Sequence, residues 1–224
     1  MAVDDSYTVA LLHMNGVDAS TTFTDESGKT WTANGNAQID TAQSKFGGAS
    51  GLFDGTDSTS SADSADWDFG TSDFTLDFWI RFNALPGAGS GENIIWRDRT
   101  AGGQMIRVVV INSAGTYTFR ATLDNTAKNQ TWSSPSTGVW YHFAIVRSGT
   151  NLYHFVDGTQ VGSTLSSSEN ISDTTALNIG GNGTSSEGVN GWMDEVRISK
   201  GIARWTSNFT PPTSEYGANN GFFF

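Results

Sequence analysis

Residues Phe74-Thr-Leu-Asp-Phe-Trp-Ile-Arg-Phe82 alternate strictly along the chain. Phe74, Leu76, Phe78, Ile80 and Phe82 share one face of an extended segment, and Thr75, Asp77, Trp79 and Arg81 share the other. Aromatic and β-branched runs predict further strands over residues 105–111, 117–123, 140–147, 152–156, 176–180 and 192–199. Asn112-Ser-Ala-Gly115 separates two of them, and Asp157-Gly158 is a type I′ hairpin signal before residues 159–161. Residues 58–66, 84–91 and 163–173 read as polar or glycine-rich loops. No amphipathic helix longer than about three turns competes with this reading, and no solenoid or propeller period recurs. The pattern predicts one all-β domain built as an antiparallel sandwich.

Composition agrees and removes several functions. Twenty-six glycines, four prolines and 12% aromatics suit many short strands joined by tight turns. Twelve basic against 23 acidic residues give a net charge of −11, which disfavours a nucleic-acid phosphate backbone as partner. The chain has no cysteine, so disulfides and thiolate chemistry are excluded. No apolar run approaches the roughly 20 residues of a membrane helix. Met1-Ala-Val-Asp-Asp-Ser6 has neither a basic nor an apolar leader region, so no signal peptide is expected. After Pro211-Pro212 and the glycine-bearing residues 217–221, the chain closes on Phe222, Phe223 and Phe224. These rings are expected to dock, either on a partner or on the protein's own sandwich.

Several segments, in order, resemble the laminin-G-like jelly rolls of the concanavalin A-like lectin and glucanase superfamily. They are Ala10-Leu-Leu-His-Met-Asn-Gly16 with Phe23-Thr-Asp-Glu-Ser-Gly28, Lys45-Phe-Gly-Gly-Ala-Ser-Gly-Leu-Phe-Asp-Gly55, and the strand from Phe74 to Phe82. Trp140-Tyr-His-Phe-Ala-Ile-Val-Arg147, Phe155-Val-Asp-Gly158, Gly191-Trp-Met-Asp-Glu-Val-Arg-Ile-Ser199 and Ala203-Arg-Trp205 complete the set. The resemblance covers residues 8–212, leaving 1–7 as an arm and 213–224 as a tail. It implies two facing antiparallel sheets in a jelly roll. It implies no single function, because the fold hosts lectins, hydrolases and adhesion modules.

Candidate chemistry is sparse. The family's retaining glucanases carry alternating glutamates and an aspartate on one strand, because hydrolysis with retention needs two carboxyl groups about 5–5.5 Å apart. Of the six glutamates here, only Glu195 falls in a predicted strand, and its neighbours do not complete that motif. His13, His142 and His154 form no triad or metalloprotease spacing. An enzyme is not expected. Asp194 shares its parity with Trp192, Val196 and Ile198, and an aspartate on a core-directed face needs a partner or a cation. The resemblance implies a structural calcium there, with ligands near Asn15 and at Gly47 or Gly48. The alternative is that Asp194 hydrogen-bonds local amides and holds nothing.

Trp79 beside Asp77 and Arg81 reads as a sugar platform, an aromatic face flanked by charges that order hydroxyls. The alternative is a Trp79 covered by a loop. Trp96, beside Arg97-Asp98-Arg99, and Trp132 are further candidates; Trp31, Trp140, Trp192 and Trp205 read as structural. The expectation is a non-catalytic carbohydrate-binding or adhesion module with surface glycans as partners, outside the cell or on a virion. The alternative is a purely structural virion accessory protein that binds virion proteins or itself. Leu11-Leu-His-Met-Asn-Gly16 and Ile39-Asp-Thr-Ala-Gln-Ser-Lys-Phe-Gly-Gly48 look like phage-encoded laminin-G-like domains, which is what brings the virion into view.

Overall fold

The computed structural model describes residues 5–182 and 187–217. Its strands, in chain order, are β1 (Thr8–Leu12), β2 (Thr22–Phe23), β3 (Trp31–Asn34), β4 (Gln38–Asp40), β5 (Ser50–Asp54), β6 (Ser58–Ser61), β7 (Phe74–Phe82) and β8 (Gly91–Asp98). They continue with β9 (Gln104–Ser113), β10 (Thr116–Leu123), β11 (Thr126–Thr131), β12 (Trp140–Ser148), β13 (Asn151–Val156), β14 (Thr159–Gln160), β15 (Leu165–Ser166), β16 (Leu177–Ile179) and β17 (Asn190–Lys200). They form two antiparallel sheets. The first runs β14-β13-β12-β7-β17-β5-β4, with β1 also on β17 and β15 on β13; the second runs β11-β10-β9-β8-β16-β6-β3-β2. This is the all-β, two-sheet antiparallel sandwich that the alternation and the resemblance imply.

Leu76, Phe78, Ile80, Phe82, Phe143, Ile145 and Met193 of the first sheet meet Ile95, Val108, Val110, Phe119, Ala121 and Ile179 of the second. Each such large side chain contributes about 1.5–3 kcal/mol relative to exposure. Three two-residue hairpins set the registers: Ala114-Gly115, Asp124-Asn125 and Asp157-Gly158 all have positive φ at both positions. That geometry matches the right-handed twist of the flanking strands. At Gly158 a Cβ would also stand 1.9 Å from the carbonyl oxygen of Phe209, so no other residue fits that turn. The expected loop at 58–66 is instead half structured. It contains β6 and a 3-10 turn at Ala65–Trp67, because Thr59 and Ser61 are buried and Trp67 is an apolar anchor.

The outward face of the first sheet is largely covered. Trp205 and Phe209 stack at 3.9 Å and pack with Ala144, Val146 and Phe155 in a second, smaller core. The chain continues past residue 212 in packed form as far as Tyr216, which is 6% exposed. Phe222, Phe223 and Phe224 lie outside the described residues. Among the described residues, no helix is long and apolar enough to cross a membrane.

Candidate functional site

The platform expected around Trp79 is not open. Trp79 is 5% exposed: the Lys45 ammonium lies 3.9 Å from its ring centroid, with Phe46 and His142 edge-on at 6.0 and 5.1 Å. Asp77 is fully buried. Arg197 meets it through Nε–Oδ1 at 3.1 Å and Nη2–Oδ2 at 3.2 Å, and the Tyr216 hydroxyl donates to Oδ2 at 2.5 Å. Burial, the largest single influence, would raise this carboxyl, but Arg197 and His142 together outweigh it and hold the pKa at about 2. Trp132 is buried too, edge-on to Tyr141 and Phe143 at 5.0 Å. Alternation correctly sends Trp79 and Asp77 away from the main core. It does not reveal that residues 45–46 and the C-terminal segment lie over them.

Arg81 stays half-buried on that face, its guanidinium carbon 5.0 Å from the Trp192 ring, between Trp140 and Trp192 in the sheet register. The Trp192 indole N–H donates to Asp40 at 2.6 Å. Trp140 and Trp192, read from sequence as structural, are therefore half-exposed neighbours of Arg81.

Trp96 alone among the candidate tryptophans stands half-buried on the outward face of the second sheet. The register aligns Thr32, Ser60, Asn178, Trp96, Arg107 and Thr122 across six adjacent strands. Arg107 lies 5.4 Å from the Trp96 ring, donates from Nε to Asn93 Oδ1 at 2.6 Å, and pairs with Glu187 at 3.4 Å. The Trp96 N–H donates to Asp98 at 2.8 Å, and Asn34 donates to Ser60 at 3.0 Å. The result is one aromatic ring, held in orientation by its N–H bond, within a field of amide, hydroxyl and guanidinium groups. Sequence reasoning missed Asn178, Ser60 and Arg107. The available signal was Arg107 between Ile106 and Val108, an alternation that turns a charge outward.

Asp194 is buried, but not for the reason its parity suggests. The β7–β17 register shifts between Asp194 and Arg197, and Glu195 has φ 51°. This bulge breaks the period of two. Val196 and Ile198 point into the main core, while Asp194 lies on the outward side under residues 45–48. Its Oδ2 accepts the N–H groups of Lys45 and Phe46 at 2.7 and 3.1 Å. Its Oδ1 has no hydrogen-bond partner, and neither does the buried Oδ1 of Asn15. Burial pushes the Asp194 carboxyl up to about 8, against the two amides that lower it. A Cβ at Gly47 would stand 2.0 Å from Asn15 Oδ1 and 2.3 Å from Glu215 Oε1 and would push both side chains aside, and its φ of 61° also favours glycine; a Cβ at Gly48 would meet open space. Beside them, His13 Nδ1 meets Glu195 at 2.7 Å, Tyr216 N–H donates to Glu195 at 2.7 Å, and Asn15 donates to Glu215 at 2.6 Å. One unpartnered oxygen from β17 and one from the loop after β1, beside acidic groups, are hard donors of the kind calcium takes.

A family model described as the concanavalin A-like lectin/glucanases superfamily matches residues 53–204. Among solved structures, the chain is similar to domain 4 of AbnA, an extracellular arabinanase of Geobacillus stearothermophilus solved with arabinotriose. The two share 14% identity at a TM-score of 0.65, over 88% of this chain and 93% of that one. It is also similar to the binding domain of paraclostridial mosquitocidal protein 1, at 16% identity and a TM-score of 0.67, over 89% of this chain and 50% of that one. A third match is Trypanosoma rangeli sialidase, at 13% identity and a TM-score of 0.64, over 88% of this chain and 31% of that one. Identities this low carry the fold alone. No curated protein matches the sequence.

Proposed function

The chain belongs to the concanavalin A-like lectin/glucanases superfamily, and on that premise we propose that it is a non-catalytic carbohydrate-binding module. The glycan lies on the outward face of the second sheet, against Trp96. The observation that carries this reading is the row Ser60, Asn178, Trp96 and Arg107, one outward residue from each of four adjacent strands. An indole stacks on the C–H face of a sugar ring while neighbouring amides and guanidinium bond its hydroxyls. The similar arabinanase domain, solved with arabinotriose, adds support. Nearby carboxyls are engaged: Asp98 by Trp96 and Glu187 by Arg107. That is not the free acid–nucleophile pair of a retaining hydrolase.

On the same reading a structural calcium is held by Asp194 and Asn15, with the backbone at Gly47 and Gly48. The two unpartnered oxygens and the close approach of the Gly47 backbone to Asn15 support it. Its charge would let Asp194 stay ionised while buried. The module acts outside the cell. In the finer form of the reading it is displayed on a phage particle, with virion proteins or a second copy as further partners.

The test is a glycan array followed by calorimetry on the best ligand. The wild type should bind saturably, and Trp96→Ala should weaken binding at least tenfold without changing the melting temperature. Unchanged affinity in Trp96→Ala would reject the site. Co-purification with an assembly and no glycan preference would favour the purely structural accessory role.

A further inference from the structure

Away from Trp96 and Asp194, the β5–β6 turn, the β7–β8 loop and the entry to β17 enclose a pocket of about 250 Å³. Its lining includes Asp54, Thr56, Pro86, Ser90, Glu92 and Asn190. Glu92 is 6% exposed and still lines the pocket; among the described residues its one hydrogen bond is a long one, from the Asn190 N–H to Oε2 at 3.4 Å. No lysine, arginine or histidine among the described residues pairs with it.

Several donors around it are already engaged. Thr56 gives its N–H and its hydroxyl to Asp54, and Ser90 gives both of its donors to the Gly87 carbonyl. The Gly188 N–H goes to the Gly55 carbonyl. The wall therefore offers oxygens and few hydrogens, beside a carboxyl that no cationic side chain among the described residues meets. A buried acid in this state is costly unless a charge partner arrives.

We propose that this pocket is a cation-binding site with Glu92 as its anionic ligand, separate from the Asp194 centre and from the glycan face. The pocket is smaller than the roughly 300–1,000 Å³ of drug-sized sites. The cation is therefore small: a hydrated divalent ion, or the ammonium group of a single amino sugar.

Two-dimensional amide NMR on the Trp96→Ala protein tests the site apart from the glycan reading. The reporter is the Asn190 amide, which contacts Glu92, and the probes are calcium chloride, glucosamine and glucose. A saturable Asn190 shift with glucosamine alone identifies an ammonium site; one with calcium alone identifies a metal site. In either case Glu92→Gln should weaken the response at least tenfold while Asp194→Asn leaves it in place. Glu92→Gln is nearly isosteric and is expected to fold, which its amide spectrum checks directly. No shift with either cation, an equal shift with glucose, or a response that survives Glu92→Gln overturns the proposal.

Discussion

The hydroxyl of Tyr216 donates to Oδ2 of Asp77 at 2.5 Å across 139 residues of chain. It fastens the C-terminal segment to the middle of the first sheet. The Arg197 guanidinium lies 3.9 Å from the Tyr216 ring centroid and binds Asp77 from the other side, and His142 Nε2 meets the same hydroxyl at 3.1 Å. The polar groups that look like a binding constellation in sequence are thus the anchor of a strap.

Tyr216→Phe should therefore destabilise. It removes a donor from a buried carboxylate while keeping the ring, a change that costs about 1–3 kcal/mol. For a chain of this size that is a fall of roughly 2–4 °C per kcal/mol in melting temperature. Asp77→Asn should cost more, about 3–5 kcal/mol, because it takes the carboxylate charge away from the buried Arg197 guanidinium. Scanning calorimetry of both variants checks the order; a Tyr216→Phe melt equal to wild type would show that the segment is not anchored there.

Trp79 and Trp96 should behave oppositely when each is changed to alanine. Trp79→Ala opens a cavity under Lys45 and Phe46 and should cost about 3–5 kcal/mol, with glycan affinity retained in the folded fraction. Trp96→Ala should leave the melt within about 0.5 kcal/mol and lose binding. Calorimetry and glycan titration of the pair read this out directly.

The contrast between those tryptophans also marks how far the sequence is legible. Alternation from Phe74 to Phe82 is local, so the strand and its core face follow from it. The hairpins at Ala114-Gly115 and Asp157-Gly158 follow from turn chemistry in the same way. Whether an outward residue meets water depends on distant segments. Lys45 and Phe46 cover Trp79, and Tyr216 covers Asp77, across separations that no local period reports. In the sequence Trp96 is one of several candidates, because Ser60 and Asn178 become its neighbours only through sheet register. Asp194 stands out on a period that the bulge at Glu195 interrupts, so the sequence predicts its burial but not its direction.

Stability should depend on pH through Glu92. Burial raises its carboxyl from the ordinary 4.5 to about 8, so the native state keeps a proton that the unfolded chain releases. The associated stability is full below about pH 4.5 and is lost as pH rises toward 8. Glu92→Gln keeps the shape and cannot ionise, so its denaturant midpoint should fall less than that of wild type between pH 5 and 8. Parallel profiles for the two proteins would show that Glu92 titrates normally.

His154 should act in the opposite direction. Its ring packs edge-on to Phe119 at 5.2 Å, neither nitrogen has a hydrogen-bond partner, and burial holds its pKa down at about 3. The unfolded chain takes up a proton near pH 6.5 that the native state refuses, so stability is lost as pH falls from 6.5 toward 3. His154→Phe should be neutral or stabilising at pH 7 and should flatten that acid limb. Urea melts at pH 7, 5.5 and 4 test it, and a steeper acid loss in the variant would contradict the assignment.

Calcium should raise stability through Asp194, most cleanly measured in a Glu92→Gln background so that the second pocket does not contribute. A cation bound only by the native state stabilises by RT ln(1 + [L]/Kd), about 2.7 kcal/mol at a hundredfold excess over Kd. At roughly 2–4 °C per kcal/mol, that is about 5–10 °C in melting temperature. Chelator should reverse the gain. Asp194→Asn keeps an oxygen toward the Lys45 and Phe46 amides but loses the charge, so its melting curve should be the same with calcium and with chelator. Asn15→Ala removes one of the two unpartnered oxygens and should shrink the calcium response without abolishing it. If the protein with Asp194 intact melts identically in calcium and chelator, the unpartnered oxygens of Asp194 and Asn15 serve no calcium ion. Their burial is then a cost carried by the fold.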